Sequence, residues 1–393
     1  MKLKRIIIIL AIIGCIVFAS FFGGNIPYAL IYISITVPLI SFIYTVYVNS
    51  RMKFLQKVDN KIVLKDDLIP YSLTLANEDI FAYTNIVLKY HCRKSHIENI
   101  SGKTEHILLP GQRFNFESTI QCKYRGEYDV GVKSIVITDF LYLFSISYPV
   151  PERKTLIVLP KLYQLQKLKI LQHDNDPKYT KYNVMKNSDY LDVDVKKYLP
   201  GDNKKLIHWK ATAKRNELFS RAYTGVIKKN VFVDIDLTEV AGDEIYSINI
   251  EDKIIEAGLS IIDYYNRNGT PVSIQYYQRK FQEIKVENEK DFEKFYNGTA
   301  RLNFSSKNEI EDILSSQVNS YSESFFSIVI THKLTKKLFD VALNAVLNEG
   351  TIAIVYISDE NSEITRLLIQ NFRDIGIEII KINSTDDLIK ALS

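Results

Sequence analysis

The sequence predicts a multidomain α+β chain: two apolar helices, then an antiparallel β domain, then an α/β domain doubly wound around a parallel sheet. Three observations carry this. Two long apolar runs without a charge occupy residues 6–22 and 26–48. Residues from about 55 to 150 hold short alternating or β-branched segments with turn residues between them. From residue 230 onward, short apolar runs alternate with stretches of helical spacing. A length of 393 residues suffices for two or three domains, and 46% hydrophobic residues with few Gly and Pro mark a mostly ordered chain. The expected divisions are residues 1–50, 51–160, 161–229 and 230–393.

The first run is Ile6 to Phe22 and the second Ile26 to Val48, with Gly23, Gly24 and Asn25 between them. Each is about long enough to cross a ~30 Å hydrocarbon core. A signal peptide is the competing reading of the first run. The second span follows too closely for that, and no small-residue cleavage site leads into a soluble domain. Lys2, Lys4 and Arg5 precede the pair, and Arg51, Lys53 and Lys57 follow it. Positive flanks at both ends place both termini, and everything after about residue 50, in the cytoplasm. Pro38 lies inside the second span as a candidate kink. Cys15, Cys92 and Cys122 form no Cys-x-x-Cys pair, and a reducing cytoplasm disfavours a Cys92–Cys122 disulfide.

In the next region KIVLK, YSLTLAN, NIVLKYHC, FNFESTIQCKY, YDVGVKSIVITD and LFSISYPV read as strands. Regular short strands without helical periodicity suggest a β-sandwich of immunoglobulin-like size. Ser101-Gly102-Lys103-Thr104 imitates the end of a phosphate-binding loop, but Ile97 stands where that loop needs its first glycine. It is expected to be a hairpin turn. Residues 161–197 read as an irregular connection. Beyond it, VFVDIDL, VSIQYYQ, FFSIVIT, TIAIVYIS and IEIIKI read as buried strands. Helices are expected over Glu251–Arg267, Thr335–Leu347, a segment ending at Phe372, and the C-terminus. That alternation implies a parallel sheet covered on both faces.

Between these domains the charge is concentrated. From Lys196 through Lys229 there are ten Lys or Arg against Asp202 and Glu217, in a chain whose net charge is +4. Pro200 presets a turn, Gly201 suits the positive φ after it, and Asp202 is placed to cap a helix. Leu206, Trp209, Lys210 and Ala213 fall on one helical face, so Trp209, the chain's sole Trp, is expected to pack inward with the Lys210 stem beside it. The segment then reads as a structural junction between the β and α/β domains. A recognition surface is the other reading, with Lys204, Lys205 and Lys214 off the apolar face as candidate docking residues. Tyr198, Trp209, Phe219 and Tyr223 interleave with the basic residues, but core-facing aromatics and the modest net charge argue against nucleic acid. Anionic lipid or an acidic protein surface fits better.

Two sets of residues resemble one family. Tyr198, Pro200, Gly201 and Asp202, followed by Ile207, Trp209, Lys210 and Ala213, are similar to a Tyr-x-Pro-Gly-Asp, Ile-x-Trp-Lys-x-x-Ala signature. Arg125, Gly126, Tyr128 and Gly131, followed by Asp139, Leu143 and Phe144, are similar to a second pattern. Both resemble bacterial domain-of-unknown-function family fifty-eight, membrane proteins with a von Willebrand factor A-like domain. Lys196-Lys197 and Lys205 depart from the family pattern, which more often has Arg and an acid, and Arg, there. The resemblance implies a C-terminal A-like domain, and a partner: family members are often encoded beside MoxR-type AAA ATPases and are linked to the envelope.

The resemblance also raises a metal site. Such domains often hold Mg²⁺ on an Asp-x-Ser-x-Ser loop after the first strand. Here the loop offers Asp236, Thr238 and Val240, or Asp234, Asp236 and Thr238, and a later strand end offers Thr331 and His332. The missing hydroxyl and the missing later acid argue against a tight site. No nucleophile elbow or metal-binding His pair occurs. Asp189, Asp192 and Asp194 read as a solvated loop that balances nearby Lys. The expected protein is a membrane-anchored cytoplasmic adaptor rather than an enzyme. The alternative is a metal-dependent binding or enzymatic module using the strand-end acids.

Overall fold

The computed structural model describes residues 2–59, 61–150, 152–171, 192–198, 208–215, 217–224, 231–320, 325–348 and 350–393. It is an α+β protein with an N-terminal apolar helix pair and several sheets. The chain divides into two compact units, residues 1–161 with 297–302, and residues 162–296 with 303–393.

The first unit begins with α1 (Lys2–Phe22) and α2 (Asn25–Arg51), both long and apolar enough to cross a membrane. Gly23 and Gly24 take φ of 58° and 86°, left-handed values that make so short a turn accessible. Pro38 sits within α2. The strands that follow are β1 (Lys53–Val58), β2 (Ile62–Leu64), β3 (Leu68–Ala76), β4 (Tyr83–Tyr90), β5 (Ser95–Ile97), β6 (Lys103–Leu108), β7 (Arg113–Cys122), β8 (Gly126–Val130), β9 (Val132–Thr138), β10 (Ser145–Pro149) and β11 (Lys154–Leu159). They form sheets of order β1-β3-β7-β5, β10-β9-β4-β6 and β2-β11-β8. All pairings are antiparallel except β2 with β11. Alternation decides the inner face: Ile69, Tyr71, Leu73 and Leu75 of β3 meet Ile86 and Leu88 of β4 and Ile135 and Ile137 of β9 in one core. Val48 of α2 is fully buried in that core. Gly102, with φ 82°, stands just before β6, but β5 pairs with β7 and β6 with β4, so Ser101–Thr104 leads from one sheet into another and the hairpin turn expected there is corrected.

The second unit carries a six-stranded sheet of order β16-β15-β14-β17-β18-β19. Its strands are β14 (Val231–Ile235), β15 (Val272–Tyr277), β16 (Phe281–Val286), β17 (Phe326–Thr331), β18 (Thr351–Ile357) and β19 (Glu378–Ile382). All neighbours are parallel except the β15–β16 edge pair. A smaller sheet pairs β12 (Asp192–Lys197) with β13 (Phe219–Thr224), with helix α3 (Trp209–Arg215) between them in sequence. The other helices are α4 (Glu244–Arg267), α5 (Glu289–Thr299), α6 (Ile310–Ser320), α7 (Lys336–Leu347), α8 (Glu363–Asp374) and α9 (Leu388–Leu392). Asp243, Thr335, Ser362 and Asp387 cap the N-termini of α4, α7, α8 and α9.

Three expectations need correction here. Asp192–Lys197, expected to be irregular, is strand β12, so Asp192 and Asp194 belong to a ladder rather than a loop. Helix α4 starts seven residues earlier than its apolar spacing suggests, because the Asp243 cap sits ahead of a first turn whose Ile245 is exposed and falls off the buried spacing. β16, α5 and α6 add to the elements the sequence predicts; β16 is exposed along most of its length, Phe281 included, with only Val286 buried, and α5 opens on a charged first turn.

Candidate functional site

The parallel sheet places its strand ends first. From β14 the chain moves outward to β15, then returns across β14 to β17, so the direction of winding reverses between β14 and β17. Crevices at such reversals are where open α/β sheets bind ligands. Asp236 lies there, just past β14, with its N–H donating to Ile330 O at 2.9 Å. It is 1% exposed. Its Oδ1 accepts from Thr238 N–H (3.0 Å) and Thr238 Oγ1 (2.7 Å), and its Oδ2 accepts from Thr331 Oγ1 (2.7 Å). His332 Nδ1 stands 3.5 Å from Oδ2. Burial lowers the His332 pKa below its usual value, although Asp236 pulls the other way.

The site thus gathers Asp236, Thr238 and Thr331 as the sequence suggests, but Val240 is buried as an apolar residue. One carboxylate already engaged by two hydroxyls and a backbone N–H does not fit the oxygen-rich shell that Mg²⁺ demands. Among the described residues, no group of three or more His, Cys, Asp or Glu could hold a metal ion.

Asp234 belongs to a different cluster, one strand repeat earlier. Gln317 Nε2 lies 2.9 Å from its Oδ1 and 3.0 Å from its Oδ2, and Ser327 Oγ donates to Oδ2 at 2.5 Å. Gln317 Nε2 also donates to Gln275 Oε1 at 3.0 Å. Burial pushes the Asp234 pKa up to about 7, against the opposing pull of Ser327 and Gln317. Nothing local in the sequence announces this network, whose members come from β14, β15, α6 and β17.

The signature segment is partly described. Pro200, Gly201, Asp202, Lys204, Lys205 and Ile207 lie outside the described residues, as does Asp189. The rest clasps β12 to β13: Tyr198 N–H donates to Leu218 O and His208 N–H to Phe219 O, each at 2.8 Å. Phe219 N–H donates to Thr212 Oγ1 at 3.1 Å. Lys197 pairs with Glu217 at 2.8 Å, an exposed pair of little energetic weight. Phe219 is buried, but Trp209 is 68% exposed. The inward packing expected of Trp209 is therefore corrected. Helix α3 is held to β13 through His208 and Thr212, so the Thr212 side faces inward and Phe219 fills the apolar position. Lys210, Ala213 and Lys214 share the exposed side with Trp209.

The second motif has structural duties in the first unit. Arg125 is buried, and its Nη1 donates to Thr299 O and Leu302 O, both at 2.9 Å. Tyr128 OH donates to Tyr124 O at 2.9 Å. Gly131 takes φ 77°, and a Cβ there would stand 2.6 Å from Gln56 Oε1. Asp139 closes the β9–β10 loop, accepting from Phe144 N–H at 2.7 Å and Leu141 N–H at 3.2 Å.

Compared with known proteins, the chain matches no family model and no curated protein.

Proposed function

We propose that this protein is a membrane-anchored, non-enzymatic scaffold that docks a protein partner on its cytoplasmic side. The helix pair is the anchor, with both termini cytoplasmic because Lys and Arg flank it at each end. The β domain is read as an immunoglobulin-like sandwich and the α/β domain as von Willebrand factor A-like. The resemblance suggests a MoxR-type AAA ATPase as the partner, in an envelope-related process.

One observation carries the docking reading: Trp209 is 68% exposed on α3, beside exposed Lys210 and Lys214. Trp is among the residues that dominate interface hot spots, and surrounding cations speed encounter with an acidic surface. The strand-end acids favour a scaffold over a catalyst, since Asp234 and Asp236 spend their oxygens on internal hydrogen bonds. The test is equilibrium binding of the full chain, in detergent, to a purified MoxR-type ATPase from the same cell. Trp209→Ala and Lys214→Glu should each weaken capture, the latter more at low salt. Unchanged affinity in both variants rejects this surface as the dock.

A further inference from the structure

The β9–β10 loop leaves two aromatic rings partly exposed beside the helix pair, one of them Phe140, whose other edge meets Tyr44 of α2 at 5.7 Å. Phe140 is 47% exposed and Tyr142 is 42% exposed, in the stretch Asp139-Phe-Leu-Tyr-Leu-Phe144. The loop is nevertheless held firmly. Asp139 is fully buried and, besides the two loop N–H groups, accepts from the Ser41 hydroxyl of α2. Tyr142 takes φ 61°, a left-handed value disfavoured for a bulky residue, and Asn85 takes φ 54°, a region asparagine tolerates. The two are joined by the Tyr142 hydroxyl donating to Asn85 Oδ1 at 2.7 Å. Strain accepted in order to hold exposed aromatic rings in one place calls for an occupant of that place.

The loop's contacts with the helix pair say what the occupant is. Arg5 Nε of α1 donates to Leu143 O at 2.6 Å, and the Phe42 and Phe144 rings meet edge-on at 5.3 Å. The Lys4 ammonium sits 4.3 Å from the centre of the Tyr142 ring, within cation–π range. Arg5 and Phe42 each stand about 18 residues from the Gly23–Gly24 turn, which is about 27 Å along a helix. That distance nearly matches the ~30 Å hydrocarbon thickness. The loop therefore meets the helix pair where hydrocarbon gives way to headgroups. Beyond that level α2 belongs to the β domain: Tyr44 OH donates to Ala82 O at 2.6 Å, Val48 is buried in the core, and Arg51 pairs with Asp79 at 3.2 Å.

We propose that Phe140 and Tyr142 dip into the headgroup–acyl boundary of the bilayer, so that the β domain is seated on the membrane instead of hanging from a tether. Aromatic rings concentrate at that depth, where an apolar body and a polar tip are both satisfied. Lys4 and Arg5 stand at the same level, suited to lipid phosphates. The inference rests on the helix pair being inserted in a bilayer.

The test uses the full chain with Trp209→Phe, which removes the native Trp, in phosphatidylcholine vesicles with bromine on the acyl chains. Phe140→Trp reports on the loop, and Ile35→Trp, 49% exposed near the middle of α2, reports on the span. Shallow bromines should quench Phe140→Trp about twofold, because an interfacial ring lies ~5–10 Å into the boundary. Deep bromines should quench Ile35→Trp. Quenching of Ile35→Trp alone overturns the seated loop and leaves the span in place. Quenching of neither overturns the insertion reading and the loop proposal with it. An unquenched Phe140→Trp whose emission changes on dilution assigns the patch to a second copy of this chain, which also overturns it.

Discussion

Asp234→Asn should abolish a pH dependence of stability that wild type shows between pH 4 and 7. The carboxyl has a pKa pushed from 3.8 up to about 7 by burial. Over that interval the folded state keeps a proton that the unfolded state has lost, so stability falls as pH rises. The contribution is fully present below 3.8 and is gone once the pH has passed through 7. The limiting slope is 1.36 kcal/mol per pH unit, which gives on the order of 4 kcal/mol over the interval. Between pH 5 and pH 8 about two units are crossed, about 2.7 kcal/mol, or roughly 100-fold in the unfolding equilibrium. Asparagine keeps the shape and an acceptor for Gln317 without the charge. Hydrogen exchange of the β14 and β17 amides, corrected for intrinsic rates, reads the stability of this sheet specifically. The ratio of variant to wild-type protection should rise about 100-fold from pH 5 to pH 8. A ratio independent of pH would refute the reasoning, since it would mean that Asp234 is ionised in the fold at pH 5.

Trp209→Ala should shift stability by less than about 0.5 kcal/mol because the ring faces solvent, whereas Phe219→Ala should cost about 3–5 kcal/mol; denaturant midpoints of the two variants separate these cases. Gly131→Ala should destabilise by more than about 1 kcal/mol, since φ is 77° and Gln56 Oε1 occupies the methyl position; a melting temperature equal to wild type would contradict that geometry. For topology, Asn25→Cys should react with an impermeant thiol reagent in intact cells and Lys307→Cys should not, in a background with the native cysteines replaced. Labelling at Lys307→Cys would place the α/β unit outside.

The apolar runs are legible because a helix long and apolar enough to cross a membrane is a composition signal that needs no partner. The buried parallel strands are legible for a similar reason: VFVDI and TIAIVYI are buried along almost their whole length and so read as nearly continuous apolar runs, Asp234 excepted. Asp236, Thr238 and Thr331 could be nominated because they stand at strand ends. Trp209 shows the opposite case. A helix of seven residues has no fixed inner face of its own, and its orientation comes from Thr212 and His208 bonding to β13. β12 carries a strand signal in alternating Val193 and Val195, masked by Asp192, Asp194, Lys196 and Lys197. The Asp234–Gln317 pair joins residues 83 positions apart, which no local pattern encodes. Ser41 looks like a minor polar residue in an apolar run until Asp139 stands across from it.

The most direct test of the scaffold reading uses Trp209 itself. The full chain, labelled with 5-fluorotryptophan and held in nanodiscs, has a single fluorine resonance because the sequence has a single Trp. Titration with the unlabelled MoxR-type ATPase should move or broaden that resonance saturably, and Lys210→Glu with Lys214→Glu should weaken the effect most at low salt. A resonance that stays in place with the ATPase in excess would contradict a docking role for this surface.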